Sequence, residues 1–114
     1  MITIYGIPNC DTVKKARRWL ENEGIDYQFH DFKRQGIATE QINEWLKSVD
    51  VNLLVNKRST TWKQLDDAAK KEAIEGDTAA IIVNYPTLVK RPVLAHGPLI
   101  EVGFKAERYD QLFK

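Results

Sequence analysis

The spacing of apolar residues changes several times along the chain, and each change marks an element. Ile2 to Tyr5 is a short apolar run, the pattern of a buried strand, and Gly6-Ile7-Pro8-Asn9 breaks it. Val13, Ala16 and Leu20 then recur at helical spacing, with Lys14, Lys15, Arg17 and Arg18 on the other faces. Gly24 is a natural C′ residue for that helix. From Tyr27 to Phe32 aromatic and polar residues alternate, with His30 out of phase with Tyr27 and Phe29, which predicts a second strand.

Helical spacing takes over in the middle. Thr39 opens a capping signature, and Ile42, Trp45, Leu46 and Val49 form an i, i+3, i+4, i+7 stripe. Asn52 to Arg58 is an irregular connection or a short helix. Thr60 or Thr61 can cap a further helix carrying Leu65, Ala68 and Ala69. Asp77-Thr78 can cap a short helix over Ala79 to Asn84, which must stop by Pro86. Two extended apolar pieces follow, Pro92 to Ala95 and Leu99 to Val102, joined at His96-Gly97-Pro98 as a β-hairpin and ended by Gly103. A terminal helix starting near Lys105 carries Tyr109, Leu112 and Phe113. The order β-α-β, helices, β-β-α predicts an α/β architecture, a small mixed sheet covered by helices. No repeat, low-complexity stretch or linker divides the chain, so residues 1–114 are expected to form one domain.

Composition narrows the functional classes. At 43% apolar and 29% charged residues, the chain can close a core without disulfides or metal. A net charge of +1 supplies no global field toward nucleic acid or a membrane. The single cysteine cannot form an internal disulfide, which fits a reducing compartment. No signal-peptide pattern opens the chain and no apolar run approaches about 18 residues, so a cytoplasmic setting is expected. One cysteine and two distant histidines make no zinc pattern, and no metal is expected.

Three features carry candidate chemistry. Cys10 falls at a strand-to-helix turn, where free backbone N–H groups and the helix dipole favour the nucleophilic thiolate and can hold an anion. Thr12 adds a hydroxyl donor, whereas the carboxylate of Asp11 opposes the thiolate unless it points outward. Position alone leaves Cys10 open between a nucleophile and a buried, inert thiol. Arg91-Pro92 is either a trans proline opening an edge strand or a cis bond that exposes the Arg91 backbone. Arg58, in "NKRSTTW", is either a solvated arginine or a bidentate ligand for a carboxylate or oxyanion. Lys14, Lys15, Arg17 and Arg18 read as a solvated face that can also steer an acidic substrate toward Cys10. His30 and His96 read as surface or turn histidines, and Trp19, Trp45 and Trp62 as packing groups.

Taken together, "IYGIPNCDTVKKARRWL", "NKRSTTW" and "LVKRPVL…GPLIEVGF" resemble the arsenate reductase (ArsC)/Spx family, and within it the YffB-like branch. The resemblance spans nearly the whole chain. It implies a thioredoxin-like fold with a helical insertion between the βαβ and ββα halves. It matches Cys10 to the nucleophile that attacks arsenate, Arg58 to the arginine of the middle segment, Arg91 to the arginine before the cis-proline, and Pro92 to that proline. Asn9 and Thr12 join Arg58, Arg91 and Pro92 as substrate-binding candidates. In the family's arsenate reductases, glutathione and glutaredoxin complete the cycle.

Three departures qualify what the resemblance implies. Phe104, followed by Lys105, stands where those enzymes have a third arginine, which counts against arsenate as the substrate. Ile7-Pro8-Asn9 replaces the segment in which they have a histidine before the cysteine. Val13 stands where the Spx regulators have the second cysteine of a Cys-x-x-Cys pair, so no internal disulfide switch can form. The expectation is a monothiol reductase with glutathione as co-substrate and Cys10 as nucleophile. A Spx-like regulator binding RNA polymerase without turnover is the alternative from another class, and a retained fold with a structural cysteine is the third.

Overall fold

A computed structural model describes all 114 residues, Met1–Lys114. The chain forms two compact units, the first made of Met1–Phe32 with Arg91–Lys114 and the second of Lys33–Lys90.

In the first unit, strand β1 (Ile2–Gly6) buries Ile2, Ile4 and Gly6 in alternation. Helix α1 (Asp11–Asn22) buries Val13, Ala16 and Leu20, the stripe that the spacing predicts. It closes at Gly24, whose φ of 70° suits a residue without a side chain. The Ile25 N–H donates to the Leu20 carbonyl at 2.9 Å and the Gly24 N–H to the Glu21 carbonyl at 3.1 Å, which satisfies the last turn. Strand β2 (Tyr27–Asp31) runs parallel to β1. It stops one residue short of the predicted Phe32, which instead opens a short helix, α2 (Phe32–Gln35). Leaving the strand there buries the Phe32 side chain, at 2% exposure.

After the second unit, β3 (Val93–His96) pairs antiparallel with β1, and β4 (Leu99–Val102) pairs antiparallel with β3. The sheet order is β2-β1-β3-β4. The hairpin loop is shorter than predicted: His96 pairs with Leu99, leaving Gly97-Pro98 as a two-residue loop. A φ of 60° at Gly97 permits that tight reversal. The strand begins at Val93 rather than Pro92, and the Pro92 carbonyl accepts from the Gly103 N–H at 2.8 Å. The terminal helix of this unit (Ala106–Phe113) brings Tyr109 into a core with Ile2, Ile4, Ala16, Leu20 and Leu94. The rings of Trp19 and Phe104 meet Tyr109 edge-on, with centroids at 5.6 and 4.7 Å.

The second unit is the helical insertion. It comprises α3 (Thr39–Leu46), α4 (Val51–Leu54), α5 (Thr60–Gln64), α6 (Asp67–Glu75), α7 (Thr78–Asn84) and a 3-10 turn at Pro86–Leu88. The terminal helix is therefore α8. Ile42, Trp45, Leu54, Ala73, Ile82, Leu88 and Val89 are fully buried in this unit. Local polar groups shift several predicted boundaries. Ala38 occupies the N-cap position of α3, while Thr39 is already helical and its hydroxyl donates to Glu40 at 2.8 Å. Ser59, not Thr60 or Thr61, caps α5, accepting from the Trp62 N–H at 3.0 Å. The helix expected to carry Leu65, Ala68 and Ala69 is broken. Leu65 is extended, and Asp66 restarts the helix by accepting from the Ala69 N–H at 2.7 Å. A short acidic side chain competes with the helix interior for backbone donors, so it begins a helix more readily than it continues one. Ala68 is consequently exposed and Ala73 takes the buried position. Asp77 caps α7, with the Ala80 N–H at 3.2 Å.

The βαβ and ββα halves with their helical insertion make a thioredoxin-like fold. No helix is long and apolar enough to cross a membrane.

The core of the first unit carries a polar flaw. The Tyr109 hydroxyl is buried without a hydrogen-bond partner in the protein. Burial, with a smaller contribution from the Glu101 carboxylate, pushes its ionisation above the usual phenol range. Above about pH 10 the unfolded chain releases this proton while the folded chain retains it, so stability falls as pH rises. Tyr109→Phe is expected to gain about 1 kcal/mol at pH 7 in urea denaturation, because it removes an unpaired buried donor. Its advantage should widen above about pH 10. A clear loss of stability at neutral pH would show that the hydroxyl is satisfied.

Candidate functional site

The site starts from a close approach between strand and helix. A Cβ on Gly6 would lie 2.8 Å from Val13 Cγ2, closer than carbon atoms tolerate. Glycine therefore lets the end of β1 rest against the first turn of α1. The intervening turn delivers Cys10 as the N-cap residue of α1, extended at φ −89° and ψ 125°. Its carbonyl accepts from the Lys14 N–H at 2.9 Å and its own N–H donates to the Ile7 carbonyl at 3.3 Å. No side chain caps this first turn, and the free thiol of Cys10 is half-buried. Thr12 is half-buried in the same turn, whereas Asn9 and Asp11 are exposed.

Strand register brings a second candidate to the same end of the sheet. Tyr5 lies opposite Val93, so the register carries Pro92 to the level of Gly6 and Arg91 past the end of β1, the end from which the chain turns to Cys10. The Arg91-Pro92 peptide is cis. Pro92 is buried and Arg91 half-buried. Parallel pairing with β2 also puts Asp31 opposite Gly6, where the carboxylate residue is only 8% exposed. In the sequence Asp31 reads simply as part of the second strand. Its signal was a lone carboxylate between Phe29 and Phe32, where a solvated acid is out of place. The Tyr5 and His30 rings pack nearby in the register, with centroids 4.9 Å apart.

Arg58 belongs to the second unit. It is exposed between α4 and α5, and its backbone N–H donates to Asn56 Oδ1 at 3.0 Å. Lys14, Lys15 and Arg18 are exposed as expected, but Arg17 is not simply solvated. Its guanidinium lies 4.1 Å from the Phe29 ring centroid and its Nε donates to the Tyr27 hydroxyl at 3.0 Å. That stacking fastens α1 to β2. His96 is exposed near the Phe113 ring, while His30 is half-buried within the sheet rather than on a turn. Phe104 is a packing group against Tyr109. No three His, Cys, Asp or Glu residues converge as a metal-binding group.

A thioredoxin-like sheet, one cysteine at the first helix start and a cis X-Pro bond at the same sheet end define the class. The chain belongs to the ArsC family, whose model matches residues 5–112. A solved YffB protein matches it with a TM-score of 0.91 and 37% identity, covering 97% of both chains. The solution structure of an arsenate reductase (ArsC) related protein from Brucella melitensis is 42% identical, with a TM-score of 0.76, covering 99% of this chain and 94% of that one. The global transcriptional regulator Spx 1 of Bacillus cereus is 25% identical over 109 residues, 94% of this chain and 82% of its own.

The exposed carboxylate of Asp11 follows Cys10 directly. Its charge repels an anion approaching the sulfur, so Asp11→Asn is expected to speed native-state alkylation of Cys10 by iodoacetate about two- to fivefold. Iodoacetate labelling followed by mass spectrometry checks this, and an unchanged rate would mean that the carboxylate does not face the approach to the sulfur.

Proposed function

We propose that the protein is a monothiol reductase in which Cys10 is the nucleophile and glutathione the co-substrate. The observation that carries this reading is the placement of a half-exposed cysteine at an uncapped helix start, on the sheet end shared with Arg91-Pro92. The Cys10 thiolate attacks the glutathione sulfur of a mixed disulfide. The old S–S bond breaks, the substrate leaves as a thiolate that takes a proton from solvent, and Cys10 retains the glutathione. A second glutathione thiolate then attacks that sulfur, releasing oxidised glutathione and the Cys10 thiolate. One substrate disulfide is reduced and two glutathiones become one oxidised dimer. Because the chain has one cysteine, the resolving thiol must come from another molecule, glutathione or a glutaredoxin. Arg91 would hold a carboxylate of glutathione, with Asn9 and Thr12 beside the sulfur and the Pro92 segment along its extended peptide. Phe104 leaves an oxyanion such as arsenate one arginine short, which favours a disulfide substrate.

Incubating the pure protein with oxidised glutathione should add one glutathione to Cys10 and none to Cys10→Ser, read by intact mass. Arg91→Ala should slow that addition about tenfold, the worth of one charge-assisted hydrogen bond. An unmodified mass together with alkylation as slow as that of a buried thiol would overturn the reading and leave a structural cysteine.

The Spx relative supports a second reading, a regulator that binds RNA polymerase without turnover. Capture of the polymerase α subunit by both the native protein and Cys10→Ser, without glutathione addition, would favour it.

A further inference from the structure

The second unit contains a groove of about 440 Å³. Two segments pinned to each other build it. The Asn56 N–H donates to the Leu88 carbonyl at 2.7 Å, the Lys90 N–H donates to the Leu54 carbonyl at 2.8 Å, and Val55 bridges Val89. This pairing brings Lys57 and Arg58 from one segment, and Lys90 from the other, to the same lining. Asn52 and Asn56 complete the polar part, and no carboxylate lines the groove.

The amides add to the positive character. Asn52 Oδ1 accepts from Lys57 Nζ at 3.0 Å, and Asn56 Oδ1 accepts from the Arg58 N–H at 3.0 Å. With both amide oxygens engaged, each side chain has its NH₂ group to offer. Asp50, the nearest acid in sequence, accepts from the Asn52 N–H as the cap of α4. The groove thus presents three cations and amide donors in a chain whose net charge is only +1. Its volume exceeds the space of a single small oxyanion, given that one water takes up about 30 Å³ of liquid. Leu53, 47% exposed, adds an apolar wall for a carbon skeleton.

We infer that this groove binds a compact organic anion with at least two acidic groups, carboxylate or phosphate, countered by Lys57, Arg58 and Lys90. This binding needs no reaction at Cys10.

The test is therefore made on the full-length Cys10→Ser protein, by amide NMR titration at low ionic strength. Citrate and fructose 1,6-bisphosphate are the multi-acid probes, and acetate and inorganic phosphate the single-group controls. At least one multi-acid probe should bind tenfold or more tightly than its control, with shifts centred on residues 52–58 and Lys90. Which probe wins separates a carboxylate source from a phosphate source. Lys57→Ala and Lys90→Ala should each weaken binding about tenfold, as the loss of a charge-assisted contact predicts. Lys71→Ala, a charge-matched change elsewhere in the unit, should leave it unchanged. The inference is overturned if neither probe saturates, if shifts spread over residues 14–18, or if Lys71→Ala weakens binding as much as the groove variants.

Discussion

The contact between Gly6 and Val13 governs the first unit. A strand residue with any side chain would collide with the Val13 methyl 2.8 Å away. Its absence lets β1 run against the first turn of α1 while Val13, Ala16 and Leu20 stay fully buried. Once strand end and helix start are fixed together, Cys10 has little freedom in where it emerges. The other β1 neighbours inherit the same reference. β3 places Arg91-Pro92 at the strand end, and β2 places Asp31 opposite Gly6. A site assembled from three distant stretches of sequence is thus positioned by one apolar close approach.

Charge plays two different parts in this molecule. Arg17 is held against Phe29 and Tyr27, where its planar cation packs as well as pairs. The Arg108–Glu101 and Lys114–Glu23 pairs lie at the surface, where water screens them and their contribution is small. Stability therefore rests on buried apolar groups, and exposed cations remain available for ligands. Phe104 shows the same division from the other side. Its ring packs on Tyr109 and is spent on the core rather than on the surface.

Much of the fold was legible in the sequence because the apolar periods were strong. The α1 stripe, the caps at Asp77 and Gly24, and the β-hairpin all rest on interactions between residues close in the chain. The misplaced boundaries in the second unit have a common cause. Adjacent polar residues, Ser59 with Thr60 and Thr61, or Asp66 with Asp67, offer several cap positions of similar local merit. Packing of the short helices selects among them. Arg17 departs from its expected solvated face for a related reason, since a charged residue in sequence looks solvated until its neighbours across the sheet are known.

The sequence by itself determined the α/β order, the family, the lone thiol and its place at a helix start. These follow from local periodicity, turn chemistry and motifs that need no partner from elsewhere in the chain. Only the tertiary structure decided that Arg91-Pro92 shares the sheet end of Cys10 and that Lys90 joins Lys57 and Arg58 in one groove. Strand register and cross-chain pairing set those neighbours. Such long-range contacts are created when apolar faces find each other on folding, so no local stretch encodes them alone.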